Sequence, residues 1–181
     1  MKNIGYLLFF LIISVVGFAQ EKEEKILWKA SRSLQWEDFK GQPDASNSYA
    51  ANTNSGIGYT WSYSTASGKP ILVHQVFTNF YPNLSWVTEI QNEEYLLAHE
   101  QLHFDISELH ARKLRKALYH YEIGRNIRQD LKKLYRRIES ERVFMQNQFD
   151  KETSHSEIRS AEMRWRQFVA DELKKLEDYS S

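Results

Sequence analysis

"LLAHEQLHFDISELHARKL", residues 96–114, places His99 and His103 four apart, with Glu100 directly after the first, in a chain that holds only six histidines. On an α-helix the two imidazoles lie about 6 Å apart along the axis and about 40° apart around it. Side chains so placed can aim a ring nitrogen each at one ion about 2 Å away. Glu100 is rotated by about 100° from His99, so it reaches a water on that ion from the side without being a ligand. H-E-x-x-H on a helix therefore reads as two metal ligands and a general base, the signature of a zinc hydrolase. The bland alternative is two unrelated surface histidines. The apolar "YLLA" directly before His99 argues for a buried helix instead.

Two ligands do not complete a zinc site, and the same helix offers no obvious third. His110 is on the right face, about 20° from His99, but about 10 Å beyond His103 along the axis. Glu108 points about 180° away, and Arg112 four residues on makes a surface ion pair its simplest explanation. The remaining ligand is expected from "FDKETSHSE", residues 149–157, read as the linker between two later helices. His155 ranks first there, then Glu152, then Asp150. Helix capping by Ser154 or Ser156 is the competing explanation of that linker. His74 is an outside candidate, and His120 suits a helix C-terminus without any further role.

Around this helix the texture of the chain changes. From Ile26 to about Trp86 the sequence is rich in Ser, Thr, Asn, Gly and aromatics. "GIGYTWSYS" alternates Ile57, Tyr59, Trp61 and Tyr63, "STASGKP" is a turn, and "ILVHQVFTNF" is a second strand. The pair predicts an antiparallel hairpin, with "ILVHQVFTNF" as a sheet edge open to an extended peptide. "LQWEDFKGQPD", residues 34–44, predicts a short strand or turn. After residue 93 the period is helical: about 93–122, about 126–149, and a third helix from about 156 whose stripe includes Ile158, Ala161, Trp165 and Val169. The expected fold class is α+β: a small N-terminal antiparallel β-sheet (β-rich 26–87) packed on the active-site helix, followed by two long C-terminal helices (helical 93–181).

Composition narrows the classes. The chain has 181 residues and equal numbers of basic and acidic side chains, 24 each, which gives no excess charge for a nucleic acid. Cysteine is absent, which excludes disulfides, a thiolate zinc site and a cysteine nucleophile. "MKNIGYLLFFLIISVVGFAQ", residues 1–20, has a basic start, an apolar run and a small-residue cleavage context. Residues 1–19 are expected to be a signal peptide and 20–181 a single domain, exported to the periplasm or medium with no stable membrane span after cleavage. Nothing in the sequence fixes an oligomeric state.

The motifs at 96–114 and 34–44, "LSWV" at 84–87 and "FDKETSHS" at 149–156, in that order, resemble an exported bacterial family. It is number 922 among the domains of unknown function, and its members are often labelled zinc-dependent proteases. The resemblance covers nearly the whole mature chain. It implies a zincin-like metallopeptidase with Zn²⁺ held by His99, His103 and a linker residue, Glu100 as base, and a peptide or protein substrate. The family pattern usually has glycine where this chain has Leu102 and Ser156. It retains Asp105 and Glu108 beside the histidines, which implies a supporting role such as Asp105 orienting a ligand imidazole. Two rivals share the features: a non-catalytic envelope or binding protein with a structural metal, and a metal-dependent amidase of envelope material.

Overall fold

In the computed structural model, which describes residues 24–44, 46, 49–88 and 93–181, the alternating stretches form the expected hairpin. Strands β3 (Ser55–Ser64) and β4 (Ile71–Phe80) pair antiparallel from Ser55↔Phe80 to Ser64↔Ile71. Gly68, at φ 79°, supplies the left-handed residue of the connecting turn. Strand β1 (Ile26–Leu27) adds to the other side of β4 through Ile26↔Phe80 and Leu27↔Asn79, so the sheet order is β1-β4-β3. β4 is thus the central strand at its Asn79–Phe80 end, where β1 covers the edge that the sequence suggested was open, while β1 does not pair with residues 71–78. β1 escaped the sequence reading because a two-residue strand carries too little alternation to register as one.

A second, two-stranded sheet pairs β2 (Ala51–Asn52) with β5 (Trp86–Val87). The stretch 34–44 contains a single 3₁₀ turn, Trp36–Asp38, not a strand. Gly41 follows it where a Cβ would sit 2.9 Å from Ser85 O, while its own N–H donates to that oxygen at 2.8 Å. A side chain there would break the join between the two segments.

Three helices complete the chain: α1 (Glu93–Tyr119), α2 (Ile127–Thr153) and α3 (Arg159–Lys175). α1 is the centre of the molecule. Its Ala111, Leu114 and Leu118 pack on Ile57 and Val76 of the hairpin and on Ile127, Leu131 and Ile138 of α2. Leu102 and Ile106 pack on Phe149 of α2 and on Trp165 and Val169 of α3. Phe104 packs on Leu34, Phe39 and Phe80. Burial of side chains of this size contributes about 1.5–3 kcal/mol each, so α1 is fixed from three directions.

α2 runs four residues further than its apolar pattern indicates. Residues 150–153 are its last turn and not a linker. Ser154 is the C-cap in the left-handed region, and α3 begins at Arg159 without a side-chain cap, so neither Ser154 nor Ser156 caps the third helix. The expected signal peptide, residues 1–19, lies outside the described residues. Among the described residues no helix is long and apolar enough to cross a membrane.

Candidate metal centre

Two pairs of residues, each one helical turn apart, face one another across the α1–α2 contact: His99 and His103 on α1, Gln146 and Asp150 on α2. Asp150 Oδ1 lies 3.0 Å from His103 Nε2 and 3.5 Å from His99 Nε2. Ligand atoms about 2 Å from a common tetrahedral ion sit about 3.3 Å from each other, so these separations suit one. His99, His103 and Asp150 each offer an atom within 4.8 Å of the others, a group that could hold a metal ion.

The opposite ring nitrogens are anchored. His99 Nδ1 lies 2.9 Å from Glu162 Oε2, supplied by α3. His103 Nδ1 meets Gln146 Oε1, whose amide Nε2 donates back to His103 O at 2.8 Å. An acceptor at each Nδ1 keeps a proton there and turns Nε2 towards Asp150, so Nε2 is the atom each ring can offer an ion once it gives up any proton it carries. Phe149 holds the rings: its centroid is 4.5 Å from that of His99 and 5.0 Å from that of His103.

Charge in the centre is unbalanced. Burial alone would push the His99 pKa down, but Asp150, Glu162 and Glu100 outweigh it and raise the value to about 9. Burial likewise opposes ionisation of Asp150, yet His103 and His99 hold it well below the usual carboxylate range. Burial of Glu162 is outweighed by His99 and Arg166, which lower its pKa. Two buried oxygens, Glu100 Oε2 and Asp150 Oδ1, have no hydrogen-bond partner among the described residues. Unsatisfied buried carboxylate oxygens are costly, and a cation held by the group of three answers the one on Asp150. The residues present therefore fit a divalent ion.

The centre opens into a cleft of about 630 Å³, lined on one side by residues 49–55 and on the other by α2 and the turn after it. The first wall is tied along α1: Thr53 Oγ1 donates to Glu100 O at 3.2 Å, and Ser55 Oγ lies 2.8 Å from Ser107 Oγ. Glu100 lines the same cleft.

The other residues singled out in the sequence fall elsewhere. His155 lines the cleft but is outside the group of three, its Nδ1 3.6 Å from Asp150 Oδ1. Glu152 points away, accepting from Trp165 Nε1 at 2.8 Å and Gln148 Nε2 at 2.9 Å. Asp105 accepts from Trp28 Nε1 at 2.7 Å and Gln101 Nε2 at 2.8 Å, so it orients no ligand imidazole. Glu108 is fully buried and not at the surface, bound by Arg112 Nε at 3.0 Å, Arg115 Nη1 at 2.9 Å and Thr78 Oγ1 at 2.6 Å. His74 stands mid-strand in β4, and His120 meets the Tyr179 hydroxyl at 3.1 Å. Sequence reasoning did not single out Glu162 or Gln146. Gln146 is one turn before Asp150, and Glu162 shares a helix face with Trp165 and Val169, a polar residue on an apolar stripe.

A family model described as "Bacterial protein of unknown function (DUF922)" matches residues 27–156. The match takes in the hairpin, α1 and α2, and ends before α3 and Glu162. No curated protein and no solved structure matches the chain.

Proposed function

The chain belongs to the DUF922 family of bacterial proteins, and we propose that it is a zinc-dependent metallopeptidase whose metal is held by His99, His103 and Asp150. Two imidazoles with a carboxylate are a donor set that suits zinc. When bound, the ion would supply Lewis acidity, making a water more acidic and polarising a carbonyl. Glu100 performs the proton transfers. It takes a proton from the attacking water at Oε2 and delivers it to the amide nitrogen as the C–N bond breaks, leaving an acid and an amine. Glu162 and Gln146 keep both Nε2 atoms aimed into the cleft.

The observation that carries this reading is the Glu100 carboxylate. It is 3% exposed, yet Oε2 bonds nothing among the described residues. A buried acceptor left open beside three ligand-type atoms is costly for the fold and useful for moving a proton. A closed structural metal site would call for a fourth protein ligand. Glu152, the carboxylate that the sequence ranked second among the candidate ligands of residues 149–157, is spent on Trp165 and Gln148. The substrate is an extended peptide, for which β2 is a better edge than β4. Ala50 O accepts from Thr88 N on the β5 side, so alternation turns the peptide groups of Ala51 and Thr53 the other way. The apolar segment that opens the sequence supports action outside the cytoplasm.

Glu100→Gln tests the proposal. Wild type and variant should each bind one equivalent of zinc by elemental analysis, while hydrolysis of an unstructured protein falls by at least about a hundredfold. Equal rates would reject Glu100 as base, and no zinc in either protein would reject the centre.

A further inference from the structure

Three consecutive residues, none of them glycine, turn left-handed at the edge of the cleft: Ser154 at φ 50°, His155 at φ 50° and Ser156 at φ 74°. L-residues resist this region because Cβ crowds the following carbonyl oxygen, and such strain persists only where its surroundings over-determine it. The frame here includes His155 N–H donating to Asp150 O at 3.0 Å and Ile158 N–H donating to Thr153 O at 2.8 Å. Its product is the placement of one imidazole. The His155 ring lies against Tyr49 of the β2 wall, centroids 3.9 Å apart and planes 31° apart.

On the α2 wall of the cleft, the two nitrogen-bearing side chains before the left-handed turn are committed. Arg142 is clamped on Glu139 at 2.5 and 3.0 Å, and Gln146 is held by His103. The His155 side chain is 39% exposed, and its nearest charged neighbour is Asp150 Oδ1 at 3.6 Å, too far for a hydrogen bond. Attack on a carbonyl moves an electron pair onto its oxygen, and an N–H already aimed there stabilises the charge as it develops.

We infer that His155 is a catalytic residue and not a metal ligand: its ring N–H donates to the substrate's carbonyl oxygen as that becomes the tetrahedral oxyanion. The inference rests on the metallopeptidase reading. In the step concerned, water oxygen bonds to the carbonyl carbon, the π pair moves to the oxygen that His155 contacts, and the pair returns as the C–N bond breaks. His155 ends the cycle with the proton it began with.

His155→Ala removes the donor, and His155→Gly does so with a residue that enters the left-handed region freely, guarding against a collapsed turn. Both zinc-loaded variants should keep zinc affinity within about threefold of wild type, lose about 10²–10³ in kcat and change KM little. A peptide phosphonate, which carries a tetrahedral anion, should bind both at least about tenfold more weakly by calorimetry, a readout independent of turnover. A tenfold or greater loss of zinc affinity would make His155 a ligand and overturn the inference. Unchanged kcat and unchanged phosphonate binding would overturn it equally. Wild type that neither cleaves peptides nor binds the phosphonate would remove the metallopeptidase reading, and this inference with it.

Discussion

A wholly buried carboxylate must answer to a positive charge, and Glu162 answers to two, His99 and Arg166, at 2.9 and 3.1 Å. Its value to the centre is directional. With Glu162 accepting from Nδ1–H, the His99 ring keeps its Nε2 turned towards Asp150. Glu162→Gln keeps the volume and an acceptor oxygen but removes the charge. Zinc affinity should fall by about 10- to 100-fold in a competition titration against a chromophoric chelator, with helical content unchanged. An affinity equal to wild type would show that orientation of His99 does not depend on that carboxylate. The H-E-x-x-H face was legible because helical geometry fixes it within five residues. The partners of those residues were not, since Asp150 and Glu162 reach His99 from 51 and 63 positions away and obey no local spacing.

At the scale of the element, the decisive feature is the last turn of α2. Its apolar period fades after Phe149, and the polar run that follows looks like a linker. The helix continues because Phe149 and Thr153 are both fully buried and the Thr153 hydroxyl donates to Phe149 O at 2.8 Å. That extra turn is what brings Asp150, and not His155, into the group with the histidines. Phe149 is the pivot: it touches both ligand rings and packs on Trp165 of α3 with centroids 5.6 Å apart. Phe149→Ala should cost about 3–5 kcal/mol in chemical denaturation, the usual loss for a large aromatic in a packed core. A loss below about 1 kcal/mol would show that the three helices do not depend on this contact. The hairpin and the three helices were readable from alternation and helical period. The paired fragments β1, β2 and β5 were not, because two residues carry no period.

Across the whole molecule, formal charge sums to zero, so the pH profile of stability is set by the few groups that folding perturbs. His110 is one of these. It is fully buried on α1, its Nδ1–H donates to Ile106 O at 2.8 Å, and burial lowers its pKa to about 4. The unfolded chain, at the ordinary value of 6.5, takes up the proton more readily than the folded one. Stability from this group is therefore whole above pH 6.5, declines as pH falls and is fully lost below about 4. The loss is roughly 3 kcal/mol at most. Urea unfolding at pH 7 and pH 4 should show a smaller acid loss in His110→Gln than in wild type. An identical acid limb in both proteins would remove His110 from the account.

The spread of the centre along the chain has one more consequence. Its two imidazoles, their carboxylate partner and the acid that steers the first of them come from three separate helices, between residues 99 and 162. Nothing short of the docked trio presents a competent ion cage, so undocking α3 alone frees the His99 ring to swing and loosens the ion's grip. Retention of the ion thus reports the docking of α3, and a chain nicked between α2 and α3 that loses its last helix would hold its cation more weakly.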